Sequence, residues 1–321
     1  MYDLHRLRLL RELKLRGTLV AVASALSYSP SSISQQLSRL EAEVGVPLLE
    51  PTGRRVTLTA QAEILVAHTE ILLQRLEQAE SDIAASLTTI TGELRVASFQ
   101  TASLALVPHA LTVMGEQHPA LRVRITHDEP ADTVPRLLAR NFDLVLAEEY
   151  PGAMTTYPEG ADIELLCADR VWLATSTAHP RPDRSRAGRP WSVSDLAALR
   201  DRPWIMEPPE VASRQWATAL CHQAGFEPDL RFESADVLLH VRMVEQEHAV
   251  AFLPDLVWAG RQPTVHLIGL PPGRTTRRIV TLCRTGANRK PAVVAFRKAL
   301  RKAVRAVRLA ARSPDGGVHG V

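Results

Sequence analysis

The stretch from Ser29 to Val44 limits what this 321-residue chain can fold into more than any other. Ser29-Pro30 is a helix start: a Ser hydroxyl caps free backbone N–H groups, and Pro fits the first helical position. Ile33, Leu37, Leu40 and Val44 follow at spacings of four, three and four, which stacks them in one apolar stripe. Ser31, Gln35, Ser38 and Ala42 point the opposite way, with Ser32, Ser34 and Arg39 on the flanks. That outer face is small and hydrogen-bonding, whereas an ordinary solvated face carries more Lys and Glu. Leu19, Val22, Ala23 and Leu26 give the preceding segment its own stripe, and Ala25 to Tyr28 supply a bend. The pattern is a helix-turn-helix whose second helix suits a DNA major groove. Helix pairs of this kind also occur in proteins that never touch DNA, so the residues that follow matter.

Val44 to Thr59 reads as two short strands around Pro51-Thr52-Gly53, with Arg54 and Arg55 at the tip. A basic hairpin directly after a recognition helix is placed as a wing, holding backbone phosphate while the helix reads bases. The plain alternative is a solvated turn. On this reading Ser29, Ser31, Ser32, Ser34, Gln35, Ser38, Arg39, Arg54 and Arg55 form the DNA-binding set. Gln35 suits adenine, Arg39 suits guanine or phosphate, and Ser29 and the wing arginines hold backbone.

Residues 4–62 resemble the winged helix-turn-helix of LysR-type transcriptional regulators. The resemblance rests on Ala23 and Ala25, SPSSIS at 29–34, Leu40-Glu41, Gly45, Leu48-Leu49-Glu50-Pro51, Arg54-Arg55, Leu58-Thr59 and Ala62. Three positions depart from the family pattern: Leu49 replaces a Phe, Pro51 an Arg and Ala62 a Gly. The missing Arg at 51 removes one phosphate contact, for which Arg54 and Arg55 can compensate. The resemblance implies a dimer or tetramer that binds promoter DNA and answers to a small-molecule effector.

Charge is uneven along the chain. Residues 270–321 hold 13 Lys/Arg against one acidic residue, Asp315, while residues 92–269 hold 24 Asp/Glu against 16 Lys/Arg. A basic tail is either a second nucleic-acid contact or a solvated helix face. Val293, Val294, Leu300, Val304 and Val307 interleave with Arg297, Lys298, Arg301, Lys302, Arg305 and Arg308 at helical spacing, which favours the helix face, with an acidic neighbouring surface as its partner. Cys167, Cys221 and Cys283 stand singly, an arrangement that fits neither a disulfide framework nor a metal site. No apolar run approaches 18 residues, and the Arg-rich N-terminus lacks a cleavage site, so a cytoplasmic protein is expected.

Beyond Thr59, Ala62, Leu65, Thr69, Leu72, Leu76, Ala79 and Ile83 alternate spacings of three and four. This is a heptad seam, expected to pair two chains through one long helix. The expected organisation is therefore a winged helix-turn-helix at 1–58, a linker and dimerisation helix at 59–91, an effector-binding domain at 92–312, and a disordered tail at 313–321.

Residues 93–149 alternate strand and helix as β-α-β-α-β, which predicts a mostly parallel sheet, with one helix from Ser103 to Gln117. The segment 163–176 is long enough to bridge two lobes, a Pro/Arg-rich surface loop follows at 179–190, and a second alternating set runs to residue 254. Thr264–Leu270 and Ile279–Cys283 then return to the first lobe. Lobe I is expected at about 92–166 and 269–312, and lobe II at about 167–268. Gly92–Arg95, Pro108–Leu121 and Phe142–Leu146 extend the LysR-type resemblance, which implies an α/β domain of periplasmic-binding-protein type.

Ligands in such folds bind at strand ends facing the cleft. In SFQTAS, residues 98–103, Ser98, Gln100 and Thr101 sit between a strand and a helix N-terminus, where an anion such as a carboxylate metabolite is favoured. Simple N-capping explains the same residues. Glu148 and Asp236, from different lobes, instead suit an amine, and Phe252 walls the same cleft. No nucleophile elbow, phosphate loop or HExxH motif appears, so no enzyme, metal or cofactor is expected. The rival reading is a solute-binding or sensor protein without specific DNA recognition.

Overall fold

The computed structural model describes residues 1–52, 55–128, 130–152, 157–178 and 191–310, with backbone alone for Arg55, 130–132 and 309–310. Arg54, the Arg55 side chain, the loop 179–190 and the tail 313–321 therefore lie outside the described residues.

Helix α1 (Leu4–Arg16) starts on Asp3, whose carboxylate accepts from the N–H groups of His5 and Arg6, and stops at Gly17 in the left-handed region. Thr18 caps α2 (Leu19–Leu26), and Ser29 caps α3 (Pro30–Val44) by accepting from the Ser32 N–H. The stripe read from the sequence closes the core: Ile33, Leu37 and Leu40 are buried with Val22 and with Leu9, Leu10 and Leu13 of α1. Gly45, at φ +83°, ends α3 and turns the chain toward the hairpin β1 (Leu49–Thr52) and β2 (Arg55–Leu58). A side chain there would be strained. The two strands pair antiparallel, Leu49 with Leu58 and Thr52 with Arg55.

Thr59 then caps the long helix α4 (Ala60–Ala85), about 39 Å at 1.5 Å per residue. Its buried face is Ala62, Val66, Thr69, Leu73, Glu77 and Ser81. The heptad seam is thereby divided: Ala62 and Thr69 are used inside the chain, while Leu72, Leu76 and Ile83 remain exposed. Buried polar groups dock α4 on the following domain. Glu77 pairs with Arg284 at 2.7 Å and Arg140 at 3.4 Å, and the Ser81 hydroxyl donates to the Gly286 carbonyl at 3.1 Å.

The following domain is built on strands β3 (Gly92–Ser98), β4 (Leu121–His127) and β5 (Leu144–Glu149), with β4 and β5 both parallel to β3. Helices α5 (Gln100–Ala105), α6 (Val107–Gln117) and α7 (Pro130–Leu138) connect them. The single helix expected from Ser103 thus starts earlier and breaks at Leu106. Pro108, in the first turn of α6, has no N–H to continue the earlier helix. Strand β6 (Ala161–Thr175) spans both lobes: residues 161–170 pair with β11 and 171–174 with β9.

The second lobe carries β7 (Pro203–Met206), α8 (Ala212–Gln223), β8 (Asp229–Glu233), α9 (Val237–Glu245), β9 (Ala251–Pro254) and β10 (His266–Ile268). Because β10 pairs with residues 173–175 of β6, the return to the first lobe is made later than Thr264–Leu270. It is made through the short helix α10 (Pro272–Thr275) and β11 (Thr276–Arg284). Strand β11 inserts between β5 and β6 antiparallel to both, so the lobe I sheet is mixed rather than uniformly parallel.

Helix α11 (Pro291–Ala310) closes lobe I with Val293, Phe296, Leu300 and Val304 in its core. Its basic residues meet the acidic edge of β6: Arg297 reaches Asp162 at 2.7 Å, and Arg301 pairs with Glu164. Among the described residues no helix is long and apolar enough to cross a membrane.

Candidate nucleic-acid interface and effector cleft

Helix α3 presents Ser31, Ser34, Gln35, Ser38 and Arg39 to solvent, with Ser32 half-buried. All lie away from the Ile33–Leu37–Leu40 stripe that anchors the helix. Ser29 is committed to capping, and its hydroxyl also lies 2.9 Å from that of Ser31. Helix α1 steadies the far side of α3: Arg6 donates to Gln36 at 3.1 Å and pairs with Glu43. Glu41 sets the wing, its Oε1 accepting from the N–H groups of Leu48 (2.8 Å) and Leu49 (3.1 Å). Residue patterning does not assign Glu41 this role, because its partners lie beyond the helix. The result is a rigid small-polar face with a hairpin fixed beside it.

Between the lobes lies a cleft enclosing about 610 Å³ of empty space, part of it open to solvent. Gln100, Thr101, Glu148 and Phe252 line it, whereas Ser98 lies behind it, buried, with its hydroxyl donating to the Phe99 carbonyl at 3.3 Å. Asp236 caps α9 at the rim. Gln100 latches the lobes together: its Nε2 donates to Asp236 at 2.7 Å, and its Oε1 accepts from the Val237 N–H at 2.7 Å.

The floor is organised by Arg277, a residue the sequence pattern does not single out. All five of its N–H groups are used. Nε donates to Asp169 at 2.9 Å, Nη1 to Glu148 and to the Tyr150 hydroxyl at 3.2 Å, and Nη2 to Thr101 and Asp169, both at 2.7 Å. Thr101 thus serves Arg277 rather than a free helix end. Burial raises Glu148 and Asp169 above the usual carboxylate range, with Arg277 opposing the shift. Burial also lifts Tyr150 well above its ordinary value. For Arg277 itself burial acts downward, but its acidic neighbours outweigh this and keep it charged. Glu149, the neighbour of Glu148, faces away and pairs with Arg278 at 3.0 Å, as alternation along a strand requires.

The opposite wall is aromatic. Trp216 lies edge-on to Phe252 at 5.0 Å and 5.2 Å from Tyr150. His240 is buried and donates from Nε2 to the Ser234 carbonyl at 2.7 Å; burial lowers its pKa. Among the described residues no cluster of His, Cys, Asp or Glu has metal-site geometry.

A winged helix, a docked linker helix and a two-lobed ligand-binding domain define a regulator architecture. Comparison with known proteins gives the family. Residues 4–63 match the bacterial regulatory helix-turn-helix protein of the lysR family, and residues 88–305 match the LysR substrate binding domain. The chain belongs to the LysR family, and its relatives are transcriptional regulators rather than enzymes.

The regulator IlvY of Escherichia coli is 31% identical over 135 residues, covering 41% of this chain and 46% of IlvY, less than half its length. The dual regulator GltC of Bacillus subtilis is 23% identical over 81% of this chain and 83% of its own. A probable hydrogen peroxide-inducible genes activator of Mycobacterium avium is 26% identical over 72% and 71%. A full-length OxyR variant from Pseudomonas aeruginosa superposes with a TM-score of 0.64 at 17% identity, over 94% of this chain and 95% of that one. CbnR complexed with its target DNA gives 0.51 at 22%, over 94% and 99%. At these identities the structures establish the fold alone.

Proposed function

We propose that this protein binds promoter DNA sequence-specifically, in the cytoplasm, as a dimer or dimer of dimers, and responds to a small metabolite in its inter-lobe cleft. The observation that carries the reading is the exposed face of α3. Gln35 and Arg39 can each make paired hydrogen bonds to a base edge, and small serines let the helix approach closely. The wing beside it supplies backbone contact. Among the known relatives, CbnR has been crystallised with its target DNA, which supports the same use of this fold here. The exposed apolar residues of α4, Leu72, Leu76 and Ile83, are the seam through which a second copy pairs, presenting two recognition helices to two half-sites.

Ligand binding across the Gln100 latch changes how the lobes close and hence the spacing of the paired DNA-binding domains. A thiol-based peroxide response does not fit this chain. Cys167, Cys221 and Cys283 are all buried, and burial pushes their thiols up to about 11, 12 and 12. Reactive thiols have the opposite character.

The test is binding of the purified protein to the DNA upstream of its own gene, against a scrambled duplex of equal length at one fixed salt concentration. A preference of about a hundredfold or more establishes specific recognition. Equal binding to both, with and without cell-extract metabolites, defeats it.

A further inference from the structure

The cleft carries two unlike ends. At the lobe I end Arg277 is shared by two buried carboxylates, Glu148 and Asp169. With all five N–H groups engaged, it has none left for an incoming anion, and two carboxyl groups face the one guanidinium. Glu148 spends Oε2 on Arg277 and Tyr150, leaving Oε1 to meet a donor. A lone anion brought to this floor is repelled. An ammonium group is attracted, and it supplies the hydrogen bonds that Glu148 lacks.

The lobe II end has the reverse character. Helix α8 begins at Val211, which offers no capping side chain where Ser, Thr or Asp is the usual choice. The N–H groups of Arg214 and Gln215 already donate to the Val211 carbonyl, at 3.1 and 3.3 Å, which leaves those of Ala212 and Ser213 for an outside acceptor, in the positive field of a 12-residue helix. Ser213, in that first turn, is 8% exposed and lines the cleft, and among the described residues its hydroxyl has no hydrogen-bond partner. A buried, unpaired hydroxyl is costly, so a site that keeps one gains when a ligand satisfies it. Arg214 stands beside it, oriented by Thr218 at 3.1 Å and the Glu207 carbonyl at 3.2 Å. Glu207 lines this end too, and Glu233, 3.8 Å from the Arg214 guanidinium, tempers its charge, so the carboxylate end of a ligand is held mainly by directed donors. Trp216 and Phe252 line the same cleft and suit an apolar side chain.

We infer that the cleft ligand is a zwitterion of the α-amino-acid class. Its ammonium group lies against Glu148 at the Arg277 cluster, its carboxylate at Ser213 and the first turn of α8, and its apolar side chain against Trp216 and Phe252. The inference rests on reading the cleft as the effector site and assigns that site a ligand class. It differs from the carboxylate expected at Ser98–Thr101, because those residues are occupied by internal bonds.

The test uses the full-length protein and needs no variant at first. L-Amino acids are screened individually at millimolar concentration by thermal shift and then calorimetry. The tightest binder is compared with its 2-hydroxy acid, which lacks the ammonium group, and its decarboxylated amine, which lacks the carboxylate. The expected result is an apolar amino acid that binds, with each analogue weaker by about tenfold or more, as loss of a hydrogen bond to a charged group requires. Ser213→Ala should then weaken the amino acid and the hydroxy acid but not the amine, and Glu148→Gln the amino acid and the amine but not the hydroxy acid. A panel in which no amino acid binds overturns the inference, as does a hydroxy acid that binds as well as the amino acid. Simple carboxylates that bind and lose affinity in Ser213→Ala would sink the zwitterion while keeping the cleft as the effector site. Amino-acid binding untouched by both substitutions would remove the cleft reading as well.

Discussion

At the residue scale, one helix separates stability from recognition. Ile33, Leu37 and Leu40 hold α3 in place, and Gln35, two positions from Ile33 and from Leu37, faces out. Gln35→Ala should therefore leave thermal stability unchanged, since exposed substitutions stay within about 0.5 kcal/mol. Discrimination between operator and scrambled DNA should fall by about tenfold, from the loss of one paired base contact; competition binding at constant salt checks it.

Buried carboxylates divide by environment. Burial pushes Asp143 upward, but the Arg95 N–H at 2.9 Å and guanidinium at 3.2 Å outweigh it and hold the carboxyl below its ordinary value. A depressed folded pKa contributes stability above the unfolded value and loses it as pH falls through the folded one. Asp143→Asn should accordingly flatten the acid limb of the stability–pH curve, measured by denaturant midpoints. Glu148 and Asp169 are raised, so their contribution has the opposite sign: present at low pH and lost as pH rises through their folded values. Glu148→Gln should leave the acid limb and remove part of that decline.

At the element scale, α4 is a docked helix rather than a free linker. Gly286 allows the close approach: a Cβ there would sit 2.5 Å from the Gln74 carbonyl oxygen. Backbone must then move, so Gly286→Ala should cost on the order of 1–3 kcal/mol and raise amide exchange through the second half of α4. Gly273→Ala, where a Cβ meets open space, is the control and should change neither. The docking also ties α1 to the effector domain, since Arg11 donates to the Leu138 carbonyl at 2.8 Å. Strand β11 carries Arg277 at the cleft and Arg284 at the Glu77 contact. One strand thus touches both the cleft floor and the linker.

At the scale of the whole molecule, the two faces of α4 have different work. The inner face is satisfied within the chain, while Leu72 and Leu76 are 49% and 46% exposed. Apolar residues grouped at one helix face mark a contact with another molecule. The double substitution Leu72→Glu, Leu76→Glu should preserve the fold by circular dichroism and yield a monomer in sedimentation. DNA affinity should drop steeply with it, because one half-site then replaces two. A dimer that survives the double substitution would assign pairing to another surface.

Local order was legible in the chain because its causes are local. The stripe of α3, the cap at Ser29 and the alternation through residues 93–149 depend on neighbours within a turn or a strand. The basic face of α11 was legible for the same reason, and its acidic partners Asp162 and Glu164 fit the charge balance of the two halves. The cleft was legible only in outline. Gln100, Thr101, Glu148 and Phe252 line it, but Arg277 lies within a basic segment that reads as surface. Its partners Asp169 and Glu148 lie 108 and 129 residues away. They meet because β11 inserts between β5 and β6, and no periodicity within any one strand encodes that order. Helical and strand faces follow from short-range sterics and apolar spacing; which charges share a buried floor is decided by how distant strands pair.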